Sequence, residues 1–334
     1  SIRFAELKRG HGAFVLGRYG EKFIPSGIVV GGEIRKQEAL RTILKEMNVA
    51  HGFSFVRVSL DEQQGYSLKI KIPRVRPEDI YESIELQLEE HVPLSPQEAV
   101  FDYTIVTCGA VHEEAFYEIG LSVMPHKVIQ SYVSLFENTG LVPLSLEFEA
   151  HAIARSVVRA HDCGTFLLLD IGATRTGFAI ESNGVITFTS TINVGGYSLT
   201  ESIARALSVS FKEAEQQKET RGLLGGKADP LYQAFIVRLS VLRDEVLKRY
   251  TYARTHGNLL GKHVGGVVDR IILCGGEANV PGLPNYLATT LETDVEIANP
   301  WININPLIEY VPEIPSNHAL RYATALGLAL NFPA

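Results

Sequence analysis

Apolar and polar positions fall into blocks that change period along the chain, and together they predict a mixed α/β protein. Phe166–Ile171 is a short apolar run bounded by turn residues, the pattern of a strand buried on both faces. Thr176–Glu181 and Val185–Ile192 read as the next two strands, hinged at Ser182-Asn183-Gly184. The period then becomes helical: Leu231, Phe235, Leu239, Leu242, Val246 and Tyr250 recur every three or four residues as one stripe. Two shorter helices precede that stripe. Ser198 with Glu201, and Ser210 with Glu213, have capping-box spacing, and Gly222 is expected to close the second helix. A strand over Val267–Cys274, the turn Gly275-Gly276, a helix over Val280–Leu291 and a last helix over residues 317–330 complete this half.

The first half has its own rhythm. Strands over residues 1–9 and 12–20 lead to a helix over Ile34–Met47 and strands over 53–60 and 66–73. After Pro73 come a helix over Glu78–His91, strands Val100–Cys108 and Ala115–Met124, a helix over Lys127–Asn138 and a strand Val142–Phe148. This block has the size of an inserted α+β subdomain, and its three strands are expected to form one small sheet with an open edge. A slide of 174 residues places Phe4-Ala5 on Phe178-Ala179, Gly10 on Gly184 and Phe14 on Phe188, which points to an internal repeat. If the repeat holds, the counterpart of Asp170 precedes Ser1, and the chain is expected to open inside a strand whose predecessor is missing.

Composition narrows the function classes. A hydrophobic share of 46% and a charged share of 21% over 334 residues are ordinary for a folded protein with room for two domains. A net charge of −7 provides no broad attraction for nucleic acid or an anionic membrane. Cys108, Cys163 and Cys274 lack CxxC spacing and read as reduced core thiols, not a zinc site. No apolar run approaches the ~20 residues of a membrane span and no signal peptide is evident, so a cytosolic protein is expected.

The candidate chemistry lies where strands end. Asp170 and Gly172 close the buried strand, and the turn Ala173-Thr174-Arg175-Thr176 offers amides and hydroxyls to an anion. A carboxylate at that place suits hydrated Mg²⁺. The same residues also fit a tight hairpin with a satisfied aspartate. Gly195-Gly196 precede a helix, whose first amides and dipole favour phosphate. Glu215 and Lys218 share one helix face; they read first as an exposed ion pair, and alternatively as groups bordering a nucleoside. Gly275-Gly276 form a strand-to-helix turn of bare backbone. The ten histidines fall mostly at loops and helix ends, with no motif for a general base. Glu147 and Glu149 are the other acids placed to approach a cleft, or to form strand-end salt bridges.

The stretches DIGATRTGF, INVGGYSLTESIA, AEQQK and LCGGEANVPGL, in this order, resemble the actin-fold ATP-binding superfamily. More narrowly, EEHVPLSPQEAVFDYTIV, CGGEANVPGLPNYL and EIANPW resemble the type IV pilus assembly family PilM, related to the division protein FtsA, over essentially the whole chain. The resemblance implies an actin-like ATPase fold: two RNase H-like α/β halves around a nucleotide cleft, with the small inserted subdomain. It implies a first subdomain over residues 1–73 and 147–163, an insertion over 74–146, a second half over 164–197 and 265–316, a helical part over 198–264 and a C-terminal helix over 317–334. It implies ATP or ADP with Mg²⁺, held by Asp170 (also the metal ligand), Gly172, Ala173, Thr174 and Arg175, by Gly195 and Gly196, by Glu215 and Lys218 at the nucleoside, and by Gly275, Gly276 and Glu277 at the adenosine. The first phosphate loop departs from the family pattern: Ser1-Ile2-Arg3 is its remnant, with arginine where lysine is usual. The implied partner is the N-terminal cytoplasmic segment of a PilN-like single-pass membrane protein, bound between the first subdomain and the insertion, at the inner face of the membrane. Alternatives are an actin-fold sugar or metabolite kinase and a self-associating, FtsA-like filament former.

Overall fold

The computed structural model describes residues 1–10, 13–107, 115–256, 268–305 and 310–331. In the second half, β10 (Thr165–Ile171) lies between β11 (Thr176–Ser182), antiparallel, and β13 (Arg270–Cys274), parallel. The outer neighbours are β12 (Val185–Ile192) and β14 (Val295–Ile297). The apolar run of β10 is explained by its surroundings, since Phe166 through Leu169 are all buried between two strands and two layers of helix. Those layers include α4 (Glu149–Val157), α5 (Gly196–Leu207), α6 (Phe211–Thr220), α7 (Pro230–His256) and α8 (Leu283–Leu291). All six residues of the helical stripe in α7, from Leu231 to Tyr250, are buried, as the periodicity predicts.

The first half is assembled differently. β1 (Ile2–Arg9) and β2 (Phe14–Lys22) form a hairpin; the short strands β3 (Val29–Val30) and β4 (Glu33–Ile34) form another; β5 (Phe55–Leu60) pairs in parallel with β9 (Val142–Phe148). Helix α1 (Gln37–His51) packs Leu40, Leu44 and Met47 against them. It begins three residues later than the pattern predicted, because Glu33-Ile34 turn back as β4.

The insertion corrects the sequence reading. Its sheet is made of β6 (Tyr66–Pro73), β8 (Phe116–Pro125) and β7 (Ala99–Ile105), with α2 (Ile80–His91) burying Ile80, Ile84 and Leu88 on one face. The strand Val142–Phe148 leaves that sheet, because a parallel partner for β5 must return after a long crossover, which the insertion and α3 (His126–Leu135) provide. The insertion sheet is also not isolated. The pair Phe188↔Leu68 joins β12 to β6, giving one eight-stranded order β14-β13-β10-β11-β12-β6-β8-β7. Its open edge is β7.

Other differences are local. Ser198 is the third residue of α5 and not its cap; the backbone N–H of Gly195 donates to Ser198 Oγ at 3.3 Å, while Glu201 pairs with Arg205. Ser210 and Glu213 do form a capping box. The last helix divides into α9 (Ser316–Ala319), a tighter turn at Leu320–Tyr322 and α10 (Ala323–Ala329). Cys163 is disulfide-bonded and Cys274 is a buried free thiol, which corrects the reading of three reduced thiols; spacing does not reveal which cysteines a fold brings together. Cys108 lies outside the described residues. The expected repeat matches the strand plan, in that β1 and β11 each open an antiparallel hairpin, but the register differs: Phe4 faces Gly20 and Phe178 faces Ser190, which a slide of 174 does not relate. It slips in the second strand: Phe14 begins β2, whereas Phe188 sits mid-strand in β12, so that coincidence is accidental.

Candidate functional site

Three chain reversals meet at the end of β10. The first is the turn Gly172–Arg175, closed by Gly172 N–H donating to Arg175 O at 2.9 Å. The second is the start of α5, whose Gly196 and Tyr197 N–H groups donate to Gly172 O at 3.0 Å and Ala173 O at 2.8 Å. The third is the turn after β13, where Gly275 has φ +81 and a Cβ would lie 2.6 Å from Asp170 Oδ1 and 2.4 Å from Ile171 O.

The glycines at the α5 start serve packing before they serve a ligand. A Cβ on Gly195 would lie 2.5 Å from Arg175 N, and one on Gly196 would lie 2.1 Å from Glu277 Oε1. The first helix amides are already committed to the neighbouring turn. Ala173 and Thr174 are exposed at its tip, so the part of this cradle open to solvent is the turn and not the helix end.

Glu215, Lys218 and Glu277 come together beside it. Lys218 is 1% exposed, with Nζ 3.0 Å from Glu215 and 2.8 Å from Glu277. Glu215 also accepts from Thr200 Oγ1. This corrects the exposed-pair reading: an i,i+3 spacing says who is adjacent, while tertiary packing decides what covers them. Burial raises the Glu277 pKa, against the pull of Lys218.

Across the cleft, Arg175 pairs with Asp61 and stands 3.5 Å from Glu149. Asp61 and Glu62 directly follow β5, much as Asp170 lies at the last residue but one of β10, and Glu62 accepts from the Ala150 N–H. Burial pushes Glu62 up to about 7 and raises Glu149 and Asp170, with Arg175 opposing in each case. The alternatives held for the two glutamates therefore divide: Glu147 makes a salt bridge with Arg155 at 2.6 Å, and Glu149 faces the cleft. Asp61 and Glu62 escaped the sequence reading. Their signal was an apolar run FVRVSL ending in acids, the same pattern as FLLLD.

Buried carboxylates that outnumber their arginine are the donor type that hydrated Mg²⁺ takes. Among the described residues no three ligating side chains converge closely enough to hold a metal alone. Asp170 fits such an ion only together with water and a ligand's own oxygens. None of the described helices is long and apolar enough to cross a membrane.

A family model described as type IV pilus assembly protein PilM matches residues 1–332. The solved PilM-PilN type IV pilus biogenesis complex superposes with a TM-score of 0.75 at 22% identity, covering 98% of this chain and 94% of that one. MreB5 of Spiroplasma citri bound to ADP gives a TM-score of 0.50 at 16% identity, covering 88% and 78%. Cell division protein FtsA of Bacillus subtilis is 26% identical over 149 residues, which are 40% of this chain and 33% of that protein, so the match spans a third of that relative's length. The fold is actin-like.

Proposed function

We propose a function from one premise: the chain belongs to the type IV pilus assembly protein PilM family. It acts as an actin-like, nucleotide-binding scaffold of the pilus assembly platform. Its cleft takes ATP or ADP, and its insertion side takes the N-terminal cytoplasmic segment of a PilN-like single-pass membrane protein. That partner would hold it at the inner face of the cytoplasmic membrane.

The observation that carries the nucleotide reading is the convergence of three glycine turns on one acidic strand end, with a buried Glu215–Lys218–Glu277 cluster beside it. In this reading Ala173, Thr174 and Arg175 face the phosphates from the exposed turn, and Gly172 and Gly195 let that turn and α5 approach. Gly196 makes room for Glu277. Glu215 and Lys218 border the nucleoside, Gly275 to Glu277 the adenosine. Asp170 would hold Mg²⁺ together with water, and the ion would supply neutralisation of phosphate charge. Arg175 then has to choose between Asp61 and the phosphate, which couples occupancy of the cleft to the contact between the halves.

The partner reading is supported by the open β7 edge and by the outward face of α2. Glu82, Glu89 and Glu90 are exposed there, and Leu86 is 78% exposed. An extended basic segment with apolar anchors suits an edge of that kind. Calorimetry with Mg·ATP, and capture of the chain by an immobilised PilN-like N-terminal peptide, test the two parts separately. Retained Mg·ATP affinity in Asp170→Ala refutes the cleft assignment. Failure of any such peptide to bind refutes the scaffold role.

A further inference from the structure

The two glycines that open α5 are buried, and one of them is covered by a charged side chain. Gly196 lies under the Glu277 carboxylate: a Cβ there would stand 2.1 Å from Oε1, 2.3 Å from Cδ and 2.8 Å from Oε2. The Glu277 side chain is 14% exposed, and on its other side Lys218 Nζ is 2.8 Å away. Bare backbone at a helix start therefore faces a carboxylate that the chain itself supplies.

The turn that carries Glu277 has no room to move aside. Gly275, at φ +81, is pressed against Ile171 O and Asp170 Oδ1, and a Cβ on Gly276 would lie 2.9 Å from Arg321 Nε. The tight turn Gly276–Asn279 is closed by Ala278 N–H donating to Gly275 O and Val280 N–H to Glu277 O. The facing wall is fixed as well, since Glu215 accepts from Thr200 Oγ1 of α5 and pairs with Lys218 at 3.0 Å. With both walls held, rotation of the Glu277 side chain is the motion that clears Gly196.

Charge points the same way. A buried ammonium needs one carboxylate, and Glu215 already provides it. Glu277 is the second, so Lys218 has no unpaired charge to offer an anionic ligand, and a like charge stands where that ligand would approach. We infer that Glu277 is an internal competitor for the nucleoside subsite: its carboxylate closes the space between Gly196 and Lys218 and must swing out before ribose and base can enter. This rests on the nucleotide reading of the cleft and adds how that cleft is regulated. Glu277 then borders the adenosine only in its displaced position, and the apparent affinity falls by the fraction of molecules in which it is displaced.

Calorimetry of Mg·ADP, adenosine and Mg-pyrophosphate binding to the full chain and to Glu277→Ala, at about 0.15 M salt, tests this. Removing the side chain should tighten Mg·ADP and adenosine by about tenfold, as expected when a subsite open in roughly a tenth of the molecules becomes open in all. Pyrophosphate does not enter the nucleoside subsite and should change by less than about twofold, because charges further apart than a Debye length are screened. Glu277→Gln keeps the shape and an acceptor for Lys218 but loses the charge; it should tighten the same two ligands by a smaller factor, and it decides the matter if the alanine variant does not fold. Wild-type binding with equal or weaker Mg·ADP affinity in the variants overturns the inference and leaves the nucleotide reading standing. Equal tightening for pyrophosphate also overturns it, since the effect would then be charge at the phosphates. If neither wild type nor variants bind Mg·ADP or adenosine, the nucleotide reading itself falls, and the inference with it.

Discussion

The two halves of the molecule share hairpins and parallel strand pairs and differ in how their cores are joined. In the second half β10 is buried on every side, and its core joins strands to α4, α5, α6, α7 and α8 in one large cluster. In the first half the core is divided among smaller clusters on α1 and near α10. The lesson is one of division. The half with the continuous core packs the glycine cradle so closely that a Cβ on Gly195 or Gly275 would lie 2.5 or 2.4 Å from backbone atoms. The half without it is held by smaller, separate clusters, so a single side chain there carries less of the fold.

The largest test of that contrast uses residues related by the internal repeat. Phe178, 1% exposed in the main core, should cost ~3–5 kcal/mol when changed to alanine. Phe4 is half-buried, its ring 4.6 Å from His51 and 5.0 Å from Phe53. Phe4→Ala should cost only ~1–2 kcal/mol, the worth of partial burial. Denaturant unfolding measures both, and equal losses would break the comparison.

Lys218→Met comes next. Removing the cation leaves the half-buried Glu215 and Glu277 facing one another, at a cost of about 2 kcal/mol. Lys218→Met combined with Glu277→Gln should recover most of that loss, because the like-charge repulsion is then gone and the one remaining carboxylate, Glu215, is part-exposed and accepts from Thr200 Oγ1. No recovery in the double variant would show that Lys218 matters for shape and not charge.

A pH test sharpens the contrast from within β11. Burial pushes Glu181 up to about 8 from an ordinary 4.5, against the Gly184 N–H that hydrogen-bonds to it at 2.8 Å. A carboxyl held high in the folded state contributes its full share of stability below pH 4.5. That share is lost as pH rises toward 8, since the unfolded chain ionises first. Glu181→Gln should therefore raise stability at pH 8 by ~2 kcal/mol, less than the full shift implies, and leave it unchanged near pH 4. Thermal melts across that range check it; a pH-independent gain would mean that the glutamate is ionised in the fold.

Much of this was legible in the residues. The strands of the second half, the α7 stripe and the Ser210 capping box follow from local period and spacing, which the chain obeys wherever neighbours in sequence are neighbours in space. What escaped was non-local. Nothing in VPLSLEF says that it pairs with FVRVSL across an inserted block, nor that YSLKIKIP belongs to the sheet of that block. The candidate site was half visible. The glycine turns announced themselves, while Asp61, Glu62 and the burial of Lys218 depend on the second wall of the cleft, which only tertiary packing supplies.

The smallest expected effect concerns stability at the receiving surface. Glu82 and Glu89 lie exposed on α2, so Glu82→Lys with Glu89→Lys should move stability by no more than ~0.5 kcal/mol. Binding is a different quantity. If these carboxylates attract a basic segment to the β7 edge, the double variant should bind a PilN-like peptide more weakly at low salt. At high salt, where exposed charges more than a few ångström apart are screened, the two proteins should converge. A stability loss comparable to that of Phe4→Ala would place α2 in the structural half of the comparison. Unchanged affinity at every salt concentration would leave the acidic face as mere solvated surface, and recognition would then rest on the edge and on Leu86 alone.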